Sequence, residues 1–203
     1  MRTTVKRLLI TTAAAVAASS VAAIPSAGAD WEQPCETRVL SQAFAQWGDT
    51  NDYFLVTGGD FESPRSTSWD LEGASIVLNE QSPWKVNGAS HRGALRLSSG
   101  GGAETHEICV MVGEDSIRFF YKAPGVTGAL LRVEISAESD RGESQSFMQL
   151  NGSARGWQVS PPMQIPNVRG EDGRQEIDIT FEAIGRSATW FIDDVMVDPW
   201  RTR

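Results

Sequence analysis

The chain is poor in histidine, with only His91 and His106 among 203 residues. Metal and nucleophile chemistry built on imidazole has little to draw on, and both histidines read as surface residues. Catalytic signatures are missing too: there is no Gly-x-Ser-x-Gly elbow, no His-Glu-x-x-His and no Cys-x-x-Cys. A glycosidase needs only two facing carboxylates, but spacing singles out no pair among the 26 acidic residues. After residue 29 the chain lacks the 3.6-residue period of amphipathic helices, an internal repeat and any linker long enough to separate two domains. That argues against a parallel sheet, whose strands need intervening helices. No second apolar run long enough to span a membrane follows the first.

What is present begins with an export signal. Arg2, Lys6 and Arg7 form a positive start, residues 8–23 an apolar run and Ala27-Gly28-Ala29 a small-residue cleavage site, so the mature chain is expected to begin at Asp30. The protein is expected to be secreted and extracellular, with no membrane attachment once residues 1–29 are removed. That segment carries three basic and no acidic residues, so its loss takes the net charge from −8 to −11. Such a surface repels phosphate backbones, and no nucleic-acid partner is expected. Both cysteines, Cys35 and Cys109, survive cleavage into an oxidising compartment. A disulfide between them is the expected state, tying an N-terminal arm to the middle of the domain. Two free thiols with a catalytic role are the rival, with only His106 nearby in sequence to support them.

Short apolar or alternating stretches recur along the rest of the chain. Residues 53–56, 69–71, 74–78, 94–98, 107–112, 116–122, 129–137, 147–151, 156–159, 175–183 and 188–197 read as strands. Turn clusters lie between them, with a long loop at 81–93 and a glycine-rich break at 99–102. Residues 30–47 show no strong period and read as an irregular arm, in which 41–47 could make one helical turn. The pattern predicts an all-β fold: a single antiparallel β-sandwich, a jelly roll at 59–203, with an irregular N-terminal arm at 30–58.

The last strand is the richest in chemistry. Strict alternation puts Phe191, Asp193, Val195 and Val197 on one face and Trp190, Ile192, Asp194 and Met196 on the other. Whichever face is core, one of the two aspartates points into apolar company, where a charge must be paired or bound to a metal.

Two ends of the sheet region carry a likeness. Gly59-Asp60-Phe61-Glu62 followed by Trp69, then Gly93-Ala94-Leu95-Arg96-Leu97, then Trp190-Phe191-Ile192-Asp193-Asp194-Val195 resemble the motifs of galactose-binding-like jelly rolls. They resemble most the carbohydrate-binding modules of secreted bacterial glycosidases. With its arm, the whole layout also looks like small secreted bacterial proteins of unknown function. The resemblance implies a β-sandwich, a glycan or cell-wall polysaccharide as partner, and a structural Ca²⁺ held by Glu62 with Asp193 or Asp194. Calcium wants six to eight oxygen ligands; the alternative is that backbone N–H groups or an arginine satisfy these carboxylates.

Three arginines, Arg96, Arg118 and Arg132, each interrupt an apolar alternation. They are expected to point outward together, as a sugar-binding face or as a solvated surface of cross-strand ion pairs. Of the seven tryptophans, Trp84 and Trp157 sit in loop or strand-edge settings where an indole could stack on a pyranose, or could simply pack. Trp69 and Trp190 read as core. Three functions follow in descending order. They are a secreted non-catalytic glycan-binding module, a structural or protein-interaction jelly roll with a purely structural metal, and a polysaccharide-active enzyme.

Overall fold

Branched and aromatic residues at alternate positions build antiparallel strands, and the computed structural model describes them over residues 35, 38–63, 68–84, 86, 88, 91–186 and 188–199. The expected export signal, residues 1–29, lies outside the described residues. In chain order the elements are β1 (Leu40–Ser41), a 3₁₀ turn at Ala45–Trp47, β2 (Tyr53–Leu55), β3 (Trp69–Leu78), β4 (Gly93–Thr105), β5 (Ile108–Met111) and β6 (Glu114–Pro124). Then come β7 (Leu130–Ser139), β8 (Gly142–Asn151), β9 (Arg155–Val159), β10 (Met163–Gln164), β11 (Arg174–Ile184) and β12 (Trp190–Pro199). None of the helical segments described is long and apolar enough to cross a membrane.

The strands form two leaves joined at a corner. In the front leaf β3 and β4 lead to β12, then β6, with β9 and β10 beyond it. In the back leaf the end of β4 and then β5 flank β11, followed by β7 and β8. One strand makes the corner. Leu95–Leu97 of β4 pair with β12, whereas Gly102–Glu104 pair with β11. The glycine-rich stretch expected to break the chain is therefore a bend inside an unbroken strand. Its glycines are needed there: a Cβ on Gly101 would lie 2.4 Å from the Gly73 carbonyl oxygen, and Gly73 has φ +62° where the β3–β4 register slips.

Inward residues of the leaves interlock. Leu95, Leu97, Ile117, Phe119, Trp190 and Ile192 from the front meet Leu131, Val133, Ile135, Ile177, Ile179 and Phe181 from the back, all fully buried. Phe119 and Phe181 touch across the leaves at 5.0 Å between ring centroids, edge to face. Each such side chain contributes about 1.5–3 kcal/mol on burial. Trp69 and Trp190 belong to this core, as the sequence predicts.

The alternation predicted for β12 holds only as far as Asp193. Its register against β6 shifts between Asp193 and Met196, and Asp194 adopts φ +48°. A bulge of this kind adds one residue and reverses the faces beyond it. Trp190 and Ile192 point inward before it, Val195 and Val197 after it, and Met196 points outward. Both aspartates end up buried at the bulge.

Candidate functional site

Burial of two adjacent carboxylates demands partners, and a single imidazole supplies the centre of the arrangement. His91 comes from the loop between β3 and β4, and its side chain is 1% exposed, which corrects the expectation of a surface residue. Its Nε2 lies 2.9 Å from Asp193 Oδ2 and 3.6 Å from Asp194 Oδ2, and its Nδ1 lies 3.2 Å from Glu62 Oε1. Backbone amides complete the carboxylate contacts. Ser82 N–H donates to Asp193 Oδ2 at 2.6 Å, Asp194 N–H to Asp193 Oδ1 at 2.9 Å, and the N–H groups of Arg92 and Gly93 to Glu62 Oε1 at 2.6 and 2.8 Å. Gly93 permits this approach, since a Cβ there would overlap the Phe61 carbonyl. Burial opposes charge on His91, but the Asp193 hydrogen bond and the carboxylates of Asp194, Asp193 and Glu62 outweigh it and raise the imidazole to about 9. Burial pushes the Asp193 carboxyl up, against the pull of His91 and the Ser82 amide. We assign the proton to the ring, which bonds Asp193 as an imidazolium.

Glu62, Asp193 and Asp194 therefore converge as the resemblance implies, yet the donor set does not fit calcium. Asp193 Oδ2 and Glu62 Oε1, the oxygens nearest the ring, already accept backbone N–H bonds, and the middle of the cluster is filled by a ring that can neutralise the carboxylates itself. Calcium would need six or more free oxygens in that volume.

Cys35 and Cys109 are disulfide-bonded, with Cα atoms 5.6 Å apart, and fix the start of the arm. The arm then crosses the outer face of the front leaf. Phe44 and Tyr53 pack on Phe120 of β6 and Met196 of β12 in a second, smaller core. Arg118 is consumed in holding it: the guanidinium donates to Asp49 at 2.6 Å and to the Ser160 carbonyl at 2.9 and 3.0 Å, and covers the Phe44 ring at 4.6 Å. Asp49 also accepts from the Tyr53 hydroxyl at 2.6 Å. Burial raises the Tyr53 phenol, and burial with the nearby Asp49 raises the Asp198 carboxyl to about 6. Trp84 is drawn into the same cluster, 4.8 Å from Phe120 and edge-on to Trp47 at 4.9 Å.

Above the arm, strand register lines up a different set on the same outer face. Opposite residues share a side of a sheet, and successive pairs run Ser75–Arg96, Arg96–Phe191, Phe191–Lys122 and Lys122–Trp157. Arg96 is exposed, while Phe191, Lys122 and Trp157 are half-exposed. Lys122 Nζ sits 4.9 Å over the Phe191 ring and 2.9 Å from Glu80. With strands about 4.8 Å apart, the row alternates cation and ring over roughly 14 Å.

Arg132 does not belong with Arg96 and Arg118. It lies on β7, outward from the back leaf, bonded to Glu134 at 3.0 Å and stacked over Phe147 at 4.8 Å. The shared apolar alternation said only that each arginine points away from the core, and the core has two outer sides. The back-leaf surface is acidic. Burial first, then neighbouring carboxylates, raise the carboxyls of Glu176 and Asp178. Two open clefts border it, one of about 420 Å³ at Arg38, His106 and Glu107, the other of about 350 Å³ at Glu138, Gln145 and Asp178. Neither is lined by a Trp, Tyr or Phe ring.

Sequence reasoning thus named Arg96 and Trp157 of the row and missed Phe191, Lys122 and Glu80, as well as His91. Lys122 interrupts the run Phe119-Phe120-Tyr121 with the parity of an outward residue, which is a signal; its neighbours across strands are not visible in one chain.

No protein-family model matches the chain, and no curated protein matches it in sequence. Solved structures similar to it include TmCBM61, in complex with β-1,4-galactotriose, at 18% identity over 71% of this chain and 97% of that one, with a TM-score of 0.49. A xylan-binding domain of family 22 matches at 12% identity over 71% and 94% of the two chains, with a TM-score of 0.43. The tandem CBM22 domains of Paenibacillus barcinonensis Xyn10C match at 16% identity, over 69% of this chain and 48% of that one, with a TM-score of 0.47. With scores below 0.5, these likenesses decide nothing about the site, whose chemistry must come from this chain's own residues.

Proposed function

We propose that the protein is a secreted, non-catalytic glycan-binding module, and that its ligand lies across the outer face of the front leaf. One observation carries the reading: the register row that sets Arg96, Phe191, Lys122 and Trp157 side by side at the surface. An indole face can stack on the C–H side of a sugar ring, while Lys122, Glu80 and Arg96 offer charged hydrogen-bond partners to substituents at the ring edge. Binding sites combine apolar platforms with a few placed polar groups, and this row has both. The motifs at Gly59–Glu62, Gly93–Leu97 and Trp190–Val195 support the same reading by their resemblance to carbohydrate-binding modules. A protein-docking surface would call for a contiguous apolar patch. Among the described residues the large exposed apolar side chains are Val39 just before β1, Leu71 and Leu78 seven residues apart on β3, Val112 just after β5, and Phe147 on β8.

The test is affinity electrophoresis of the purified protein in gels containing soluble polysaccharides, with reducing-end assays run alongside. Retardation without new reducing ends is expected. Trp157→Ala should weaken binding by about tenfold or more, since truncating an anchoring tryptophan typically costs over 1 kcal/mol. Unchanged retardation in a folded Trp157→Ala protein removes the row from the site, and release of reducing ends makes the protein an enzyme.

A further inference from the structure

Given the proposed glycan site, we infer that its ligand is an acidic polysaccharide whose carboxylates are borne on the sugar rings. The inference rests on how charge is divided between the two outer faces. The protein is acidic as a whole, at −8 for the full chain. On the back leaf the outward positions of β7, β8 and β11 carry six carboxylates, Glu134, Glu138, Glu143, Glu176, Asp178 and Glu182, against two cations, Arg132 and Arg174. The front-leaf row reverses the sign. It holds Arg96 and Lys122, and Arg155 joins them on the same side of β9, two residues before Trp157. Glu80, bonded to Lys122, is the one carboxylate paired to these three cations among the described residues. Arg96 is exposed and, among the described residues, has no carboxylate within ion-pairing reach.

An exposed guanidinium presents a planar fork that matches a carboxylate through two parallel hydrogen bonds. Cations alternate with rings at one strand spacing, about 5 Å. A sugar stacked on Trp157 or lying along Phe191 would carry a carboxylate on its own ring out to the neighbouring cation one strand away. A phosphate in the linkage would fall between rings, and a protein or peptide polyanion would leave the aromatic positions unused. Charge complementarity and ring spacing thus select the same chemistry, a uronate-type polymer.

Isothermal calorimetry on the purified protein tests this with polygalacturonate and polymannuronate, each against its carboxyl-reduced form, which keeps the rings and removes the charge. Poly-L-glutamate and a glycerol-phosphate polymer serve as anions without ring-borne carboxylates. At least one uronate polymer is expected to bind about tenfold or more tightly than its reduced form, with affinity falling as salt rises, and the two ring-free polyanions are expected not to bind. Arg96→Gln should collapse the preference for the acidic form, whereas Arg141→Gln, the same charge change at the distant β7–β8 turn, should leave it intact. Equal binding of acidic and reduced polymers overturns the inference and leaves the glycan site standing. Failure of every sugar polymer overturns both. Poly-L-glutamate or the phosphate polymer binding as tightly as the uronates shows charge alone, or phosphate, to be what the face takes.

Discussion

His91 is a cation built into the chain at the point where three carboxylates converge. Removing one partner of a buried ion pair typically costs about 3–5 kcal/mol, because the other charges stay buried without compensation. His91→Ala should cost this much in denaturant unfolding, while chelator should leave the melting temperature of the parent protein unchanged. A parent that gains stability with added calcium would show that the ring gives way to the metal. The pH response has a definite sign. The imidazole is raised from 6.5 to about 9 in the folded state, so its contribution is fully present below 6.5 and is lost as pH rises toward 9. Asp198 works in the same direction at lower pH: a carboxyl raised from 3.8 to about 6 makes ionisation costly in the fold, and stability declines through that window. Melting temperatures measured from pH 4 to pH 9 should therefore fall, with the upper limb absent in His91→Ala; a parent profile that rises between pH 6.5 and 9 overturns the assignment. The convergence of Glu62, Asp193 and Asp194 was legible in their motifs. The ring between them was not, since nothing in a Gly- and Ser-containing loop says that its histidine turns inward.

Alternation of apolar and polar residues made most strands legible, because a half-buried strand can bury only every second side chain. It failed where the backbone departs from that period. The bulge in β12 reverses the strand's faces, and its cause is the pairing of residues 56–59 with Val195, a long-range contact: Val56 N–H donates to the Val195 carbonyl and Val195 N–H to that of Gly59. The β3–β4 corner was misread for the opposite reason. Its glycines suggest a break, yet they serve close packing of two continuous strands. Gly101→Ala puts a methyl group against the Gly73 carbonyl, where neither backbone can yield without disturbing both leaves. Overpacking of this kind costs about 1–3 kcal/mol. Equilibrium denaturation of Gly101→Ala should show that loss; a variant as stable as the parent would mean that the corner is free to relax.

Across the whole molecule the two outer faces have separate fates. The back leaf stays open, acidic and wet, and the front leaf is divided between the arm below and the cation–aromatic row above. The division depends on residues far apart in sequence: Asp49 of the arm with Arg118 of β6, Asn51 with Asp198 of β12, and Cys35 with Cys109 across 74 positions. Only the last was visible beforehand, through an even cysteine count in an expected exported chain. Closing a loop of that length contributes roughly 4 kcal/mol in the chain-entropy account. The arm has other fastenings, so the Cys35→Ser/Cys109→Ser protein should still fold, with a melting temperature lower by about 10 °C for a domain of this size. Loosening should begin at the arm and bare Phe120 and Met196, the apolar floor beneath Phe44 and Tyr53. Increased binding of a hydrophobic dye below the melting transition should report it, while the row from Arg96 to Trp157, set by the register of β4, β12, β6 and β9 with one another, keeps its affinity for polysaccharide. Dye binding equal to that of the parent, or a melting temperature unmoved by the double substitution, would mean that the bond contributes nothing to holding the arm on the front leaf.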